Sequence, residues 1–166
     1  MNKKAALIAL NLLLAGLTYA QSGPPAANFK ANLLIAQSNA EIEKWVLATP
    51  AERAVSGRKR SLEIDTKYLL PSVVTDYTPD SKQIEFTSDY EILGPGGKII
   101  FSKTEFAAAQ AYDPKSPSVI VLNPVMNLTF DKDDTPGKYI IRITVKDHLK
   151  GAVSRAEEQI TLVLSN

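Results

Sequence analysis

The residue types that most often carry enzyme chemistry are scarce in this chain of 166 residues. It contains no cysteine and a single histidine, His148. The absence of cysteine excludes thiol nucleophiles, thiol redox chemistry, disulfides and cysteine-ligated zinc. A Ser-His-Asp triad would have to use His148, and the adjacent Asp147 points to the opposite face if both residues lie in a strand. We therefore expect His148 on an exposed hairpin and assign no catalytic residue.

A group of carboxylates, Asp131, Asp133 and Asp134, precedes a Pro-Gly turn and is a candidate calcium site. An EF-hand loop beginning at Asp131 would need glycine and glutamate where this chain has Pro136 and Arg142. That motif is therefore excluded, and only an irregular loop site is left. The alternative is an acidic turn whose aspartate side chains accept hydrogen bonds from nearby backbone N–H groups. No cofactor is expected.

Two other groups of residues are candidates for binding without catalysis. The basic run Arg58, Lys59 and Arg60 could contact an anionic surface, or it could be a charged linker. Tyr77 and Tyr112 each lie near a proline in an expected loop. If both are exposed on one face, they could form a surface on which a sugar ring stacks.

Composition and charge disfavour two classes of function. The formal net charge of +1 supplies little of the long-range field that nucleic-acid binding uses, so no nucleic-acid partner is expected. Glu85, Asp89 and Glu91 share the polar face of one expected strand. Solvation accounts for carboxylates in that position, so a glycoside hydrolase is not favoured.

Residues 1–20 have the pattern of a secretory signal peptide. A basic start with two lysines precedes an apolar run at 5–17, and small residues follow up to Ala20. The apolar run is too short to span a bilayer. Cleavage after Ala20 would leave a flexible, proline-rich lead-in at 21–28. We expect a periplasmic or secreted protein with no transmembrane segment after cleavage.

Residues 29–166 predict a single, mostly β domain. It begins with a strand at 29–36 and a short helix, in which Ser38 and Glu41 have capping-box spacing and Trp45 lies on the apolar face. We expect Trp45 to pack in the core. The strand, the helix and the basic run together form an N-terminal extension that ends at residue 60.

From Leu62 onward, apolar and polar residues alternate with a period of two, and turn signals recur about every ten residues. Gly94–Gly97 is predicted to form a hairpin turn. A phosphate-binding loop would need a helix after its lysine, whereas a strand is expected after Lys98. Residues 103–112 are ambiguous between helix and an irregular crossing. The pattern predicts an antiparallel β-sandwich of about seven or eight strands with one short helix.

The segment from Asp134 to Tyr139 places a Pro-Gly turn before a tyrosine that opens an alternating strand. This pattern looks like the tyrosine corner of immunoglobulin-like domains. The chain from that corner to residue 164 resembles the last two strands of bacterial immunoglobulin-like modules, with Asp147–Gly151 as the connecting hairpin. The resemblance implies an immunoglobulin-like sandwich, outside the antibody branch because the Cys–Trp–Cys core is absent.

The sequence thus predicts a secreted or periplasmic, non-catalytic binding module that acts through its loops or through an exposed sheet edge. Its expected partner is another envelope or extracellular protein. The alternatives are a carbohydrate-binding module, an inhibitor of a secreted enzyme and, least favoured, a small periplasmic hydrolase.

Overall fold

The computed structural model describes residues 28–55, 60–77, 83–111 and 119–164. These ranges contain ten strands and two helices. In chain order they are β1 (Lys30–Leu33), α1 (Asn39–Leu47), α2 (Pro50–Val55), β2 (Ser61–Glu63), β3 (Lys67–Leu70), β4 (Ser72–Thr75), β5 (Gln83–Leu93), β6 (Ile99–Ala111), β7 (Val119–Val121), β8 (Met126–Thr129), β9 (Gly137–Asp147) and β10 (Ala152–Val163). The expected signal peptide lies outside the described residues.

Five strands form the largest sheet, in the order β2-β10-β9-β5-β6. Neighbouring strands are antiparallel, except that β2 pairs with the end of β10 in parallel. Buried and more exposed residues alternate along β5 and β9. One face of this sheet is therefore buried and the other faces solvent. The order leaves β6 at an edge of the sheet.

Two smaller sheets have the strand orders β1-β4-β7 and β3-β8. Two continuous stretches of chain, β3 to β4 and β7 to β8, each contribute one strand to both of these sheets. β3 continues into β4 through Pro71, and β7 is followed by β8 after the Asn123–Pro124 pair. Proline has no backbone N–H to donate to a sheet, which explains why the apolar run at 68–75 divides into two strands. A bridge between Ala36 and Leu69 links the chain after β1 to β3.

Mostly β, antiparallel structure is confirmed, but the predicted strand number is wrong. The described residues contain ten strands where seven or eight were expected. Two prolines divide longer runs, and β2 is a short separate strand at the edge of the large sheet. Residues 103–111, which were ambiguous, belong to β6 and pair with β5. Tertiary pairing there outweighs the helical preference of three consecutive alanines.

The expectation of one helix is also wrong, because Pro50 begins α2 and does not merely end α1. Proline is well tolerated in the first turn of a helix. The Glu52 carboxylate accepts hydrogen bonds from the Thr49 N–H and hydroxyl, both at 2.8 Å, and the Glu52 N–H donates to Thr49 Oγ1 at 3.4 Å. Thr49 and Glu52 therefore form a capping box that starts a second helix.

The buried faces of the sheets contribute to one hydrophobic cluster. Its largest fully buried members include the aromatic residues Phe86, Tyr90, Phe130 and Tyr139. Phe130 and Tyr139 make an edge-to-face contact with ring centroids 4.8 Å apart. Such contacts add about 0.5–1.5 kcal/mol to the hydrophobic gain of burial. The core thus joins side chains from segments far apart in the sequence.

Helix α1 packs on a second, smaller cluster. Ser38 caps the helix by accepting a hydrogen bond from the Glu41 N–H at 3.3 Å. Ile42 and Trp45 are buried against Leu34 and Val73. The prediction that Trp45 is a core residue is confirmed.

A buried group of hydroxyls lies between β4 and β5. The Tyr90 hydroxyl donates to the Leu70 carbonyl at 2.8 Å and lies 2.6 Å from Ser72 Oγ. Ser72 Oγ is also 2.9 Å from Ser88 Oγ. Burial raises the pKa of Tyr90 to about 12, although its hydrogen bonds with Ser72 and Ser88 oppose that rise. The tyrosine hydroxyl is therefore a neutral, hydrogen-bonded part of the core.

Candidate functional site

The free edge of β6 exposes a run of large apolar side chains. Ile99, Ile100 and Phe101 are 50%, 52% and 39% exposed. Strand β6 pairs with β5 on one side. Further along, Ala108 exchanges two backbone hydrogen bonds with Asn123, at 2.8 and 3.0 Å. Before Ala108, no strand of the described residues pairs with the side of β6 that faces away from β5. We call this stretch the open edge, and an edge of this kind is a template for another strand.

A groove of about 430 Å³ lies between this edge and β8. Its lining is mainly apolar, and the residues are Ile92, Ile100, Phe101, Phe106, Met126, Asn127, Leu128, Thr129, Phe130 and Asp134. Phe106 makes an edge-to-face contact with Tyr90 at 5.4 Å, so core side chains support the floor of the groove. We call the open edge and this groove together the β6 binding edge.

The β6 binding edge is shaped by irregular pairing between β5 and β6. The register shifts at three places, one of them between Ser88 and Tyr90. There, Glu105 adopts a φ of 47°, and its N–H donates to Asp89 Oδ1 at 2.9 Å. Bulges of this kind bend a strand and end its regular pairing. The flat part of the edge is therefore short.

The acidic turn that was a calcium candidate lies at one end of the groove. Asp131 Oδ1 accepts from the Asp133 N–H at 2.8 Å, and Asp134 Oδ2 accepts from the Asp131 N–H at 2.9 Å. Hydrogen bonds to the backbone therefore engage the side chains of Asp131 and Asp134. Among the described residues, no group of three or more His, Cys, Asp or Glu is arranged to hold a metal ion. Asp134 also lines the groove.

The tyrosine at the start of β9 anchors this turn. The Tyr139 hydroxyl donates to the Thr135 carbonyl at 2.7 Å. This is the bond to an upstream backbone carbonyl that defines a tyrosine corner. Burial raises the pKa of Tyr139, and the nearby Asp134 carboxylate raises it further. The turn is therefore held in place relative to the core and to the groove.

The solvent-facing side of the five-stranded sheet carries the carboxylates considered for hydrolysis. Arg142 bridges Glu91 and Glu157, with nitrogen–oxygen distances of 3.2 and 2.9 Å. Lys146 lies 2.8 Å from Asp89. These residues line a shallow depression of about 800 Å³. The hydrogen bonds that the Arg142 guanidinium donates to Glu157 and Glu91 raise the pKa of Arg142. On this face the carboxylates of Asp89, Glu91 and Glu157 are therefore each paired with a cationic side chain.

His148 lies on an exposed turn, as predicted, with its Nε2 2.7 Å from Thr87 Oγ1. The neighbouring Asp147 is buried. Its Oδ1 accepts from the N–H groups of Leu149 and Lys150, at 3.0 and 3.1 Å. Asp147 therefore stabilises the turn and does not orient the imidazole.

Of the other predicted binding residues, the structure describes Arg60 and Tyr77. Arg58, Lys59 and Tyr112 lie outside the described residues, and Arg60 is exposed just before β2. The expected exposure of Tyr77 is wrong, since it is only 5% exposed. Its ring lies 5.0 Å from that of Phe86 and 6.5 Å from that of Phe29, and the Lys150 ammonium lies 4.9 Å from its centroid.

Sequence reasoning missed the β6 binding edge. The available signal was the uninterrupted apolar run Ile99-Ile100-Phe101, which breaks the alternation of polar and apolar residues. An exposed run of this kind needs a functional explanation. Separately, no helix among the described residues is both long and apolar enough to cross a membrane.

Neither a protein-family model nor a curated protein sequence matches the chain. Solved structures with some likeness include an alkylpurine DNA glycosylase of Pseudomonas fluorescens (12% identity, TM-score 0.45) and a family 123 glycoside hydrolase of Clostridium perfringens (9%, 0.46). The match covers 82% of this chain in both cases, and 31% and 28% of theirs. This chain therefore spans under a third of either enzyme's length.

A third structure is of comparable size. The CARDB domain of a Pyrococcus furiosus protein, solved in complex with di-metal ions, is 9% identical with a TM-score of 0.39. The match covers 86% of this chain and 95% of that domain. At these scores none of the three structures assigns a family, an activity or a ligand to this chain.

Proposed function

We propose that this chain is a periplasmic or secreted, non-catalytic binding module with an immunoglobulin-like β-sandwich fold. It binds an envelope or extracellular protein through the β6 binding edge. The observation that carries the proposal is the exposure of three consecutive apolar residues, Ile99, Ile100 and Phe101, on the open edge of the large sheet.

The strand order supports the immunoglobulin-like assignment. Strands β10, β9 and β5 lie side by side in one sheet, as do strands G, F and C of immunoglobulin domains. β1, β4 and β7 form another sheet in the order of strands A, B and E. The bond from Tyr139 to Thr135 adds the tyrosine corner. In this assignment β6 is an additional strand beside C, at the sheet edge.

The edge supports protein binding because three of its features coincide. Its backbone is open to pairing, its side chains are apolar and exposed, and a groove with an apolar floor runs beside it. In β-strand addition, the backbone hydrogen bonds supply affinity and the pockets supply specificity. The burial of Tyr77 removes one of the two expected stacking residues, which weakens the carbohydrate-binding alternative.

The test is site-specific photocrosslinking of the full chain in cells that produce it, with the crosslinker at Ser102. We expect one predominant protein adduct, and we expect Ile100→Lys to remove it. A lysine at a groove-lining position adds an uncompensated charge against an incoming strand. The matched control is Leu149→Lys, because Leu149 is 51% exposed, as Ile100 is 52% exposed, but lies in the turn between β9 and β10.

The control variant should retain the adduct. Both variants should keep the wild-type midpoint of urea unfolding within experimental error, because substitutions at exposed sites change stability little. The proposal is wrong if no adduct forms at Ser102, or if Ile100→Lys and Leu149→Lys reduce the adduct equally.

A further inference from the structure

We propose that the partner contributes an extended, mainly apolar peptide segment with a cationic residue at one end, and that this cation lies beside Asp134. The inference rests on the proposed function, because it names the chemistry of the segment that the β6 binding edge receives. It follows from the shape of the groove, from its polarity and from the position of the acidic turn.

The groove has the dimensions of an extended segment and not those of a folded domain. A volume of about 430 Å³ accommodates a few side chains of medium size. Along a strand, alternate side chains point to the same face, about 6.6–6.8 Å apart. Every second residue of a strand beside β6 can therefore enter the groove, while its backbone meets the open edge. The apolar lining selects Val-, Ile- or Leu-like side chains at those positions.

The two ends of the groove differ. At one end, hydrogen bonds between Ala108 and Asn123 join β6 to the chain between β7 and β8. At the other end lies the acidic turn, close to the β5–β6 hairpin. A methyl group placed on Gly137 would lie 3.1 Å from Pro95 Cγ, which shows how closely the two turns approach. A segment that lies along β6 would therefore have the hydrogen-bonded pair Ala108 and Asn123 at one end and the acidic turn at the other.

Charge at the acidic end favours a cation. Of the described residues that line the groove, Asp134 alone is charged. Elsewhere in the two turns, Lys98 and Lys132 offset the charges of Asp131 and Asp133, so Asp134 is the charge that a segment in the groove meets. A lysine, an arginine or a free amino terminus would be attracted there, whereas a carboxylate would be repelled.

A second copy of this chain fits the edge less well. The apolar run of β6 lies between Lys98 and Lys103. Lysines on an edge strand are a common protection against pairing between identical edges. The bulge at Glu105 shortens the flat region further. A segment from a different protein, with its charge at one end, is therefore the favoured occupant.

The test uses synthetic peptides with the chain that begins at Gln21. Two acetylated and amidated probes, Lys-Thr-Val-Thr-Val-Thr-Val and its reverse, place the cation at either end and on the same face as the valines. A matched pair carries glutamate in place of lysine. Fluorescence polarisation of labelled peptides measures the Kd. We expect one lysine probe to bind about fivefold more tightly than its glutamate counterpart, since an exposed ion pair contributes up to about that factor.

Two asparagine variants test whether the charge of Asp134, and not that of its neighbour Asp133, attracts the cation. Asp134→Asn keeps an oxygen that can accept from the Asp131 N–H but removes the charge, and it should weaken the lysine probe about fivefold. Asp133→Asn removes the same charge one residue away, outside the groove lining, and should change the Kd less than twofold.

The inference is overturned if neither lysine probe binds saturably, if the glutamate probes bind equally well, or if the two asparagine variants behave alike. Any of these results leaves the proposed function standing, provided that Ile100→Lys still removes the crosslinked partner and Leu149→Lys does not. A dimer of the chain detected by light scattering, with Ile100→Lys making it monomeric, would identify a second copy as the occupant and would also overturn the inference.

Discussion

At the residue scale, the side chains of Tyr90 and Arg142, whose pKa values are raised, lie where they stabilise the structure. Tyr90 lies in the core with its hydroxyl bonded to the Leu70 carbonyl and beside Ser72. Arg142 is held between two glutamates on the solvent-facing side of the large sheet. Neither arrangement places a reactive group beside an open cavity with an apolar lining. The residues of greatest functional interest, Ile99 to Phe101, carry no titratable group.

Tyr90 gives a prediction at this scale. Tyr90→Phe removes the hydroxyl that bonds the buried Leu70 carbonyl and Ser72 Oγ. Because both groups lose this partner, the free energy of unfolding at pH 7 should fall by about 1–3 kcal/mol. Urea unfolding followed by the fluorescence of Trp45 measures the change. An unchanged urea midpoint would show that the hydroxyl group contributes nothing to stability.

The same variant changes the alkaline behaviour. The pKa of Tyr90 rises from an ordinary value of 10.0 to about 12 in the folded protein. The unfolded chain therefore loses this proton first, and the stability that depends on it declines between about pH 10 and pH 12. Tyr90→Phe should reduce that decline relative to the wild type, because phenylalanine has no hydroxyl proton to lose.

At the element scale, local hydrogen bonds begin the short helix α2, whereas the surroundings of β6 depend on the order of strands in the sheet. Helix α2 has six residues, and the Thr49–Glu52 capping box begins it. The order of strands decides which edge of β6 is exposed, because β5 covers one edge and no described strand pairs with the other before Ala108. The register shifts between these strands limit the open stretch to the part that includes the apolar run.

The capping box gives the prediction at this scale. Thr49→Ala should lower the free energy of unfolding by about 1 kcal/mol, and Thr49→Ser, which keeps the hydroxyl, should cost only a small part of that. Hydrogen bonds from the Thr49 backbone and side chain lower the pKa of Glu52 from its ordinary value of 4.5. The stabilisation is therefore present above pH 4.5 and is lost as the pH falls through the lowered pKa.

Urea titrations at pH 7 and pH 3 measure both effects. The difference between wild type and Thr49→Ala should be smaller at pH 3. Equal losses for the serine and alanine variants would show that the capping hydroxyl does not stabilise α2.

At the scale of the whole molecule, the fold depends on core packing and has no disulfides, because the chain has no cysteine. Two hydrophobic clusters supply that packing. One joins the buried faces of the sheets, and the other places α1 against the chain after β1. The β6 binding edge lies on the rim of the larger cluster, so a rigid core supports it.

Localisation gives the prediction for the whole molecule. If residues 1–20 are a cleaved signal peptide, intact-mass spectrometry of the protein from a secreting bacterial host should show a chain that begins at Gln21. The chain should be recovered from the cells by osmotic shock or found in the culture medium. A mass that still includes Met1, found with the cytoplasmic fraction, would contradict this prediction. Ala20→Lys, which places a large charged residue at the cleavage position, should leave the precursor uncleaved.

Local sequence was enough to predict the features that depend on neighbouring residues. Alternation predicted β5 and β9, Ser38 predicted the start of α1, and the Pro-Gly turn before Tyr139 predicted the tyrosine corner. Each of these signals lies within a few residues, where dihedral preferences and hydrogen bonds are local. The absence of cysteine and the single histidine likewise limit the chemistry available to the chain, because composition does not depend on how the chain folds.

Which surfaces are exposed depends on the tertiary structure. Tyr77 was expected on the surface, but it packs against Phe86 and against Phe29, which precedes β1 and is distant in sequence. The run Ile99 to Phe101 would fit a buried central strand equally well, and the strand order places it at an open edge beside a groove. Burial and edge position arise from contacts between segments far apart in the chain. The period of a local pattern reports which residues share a face and leaves open what covers that face.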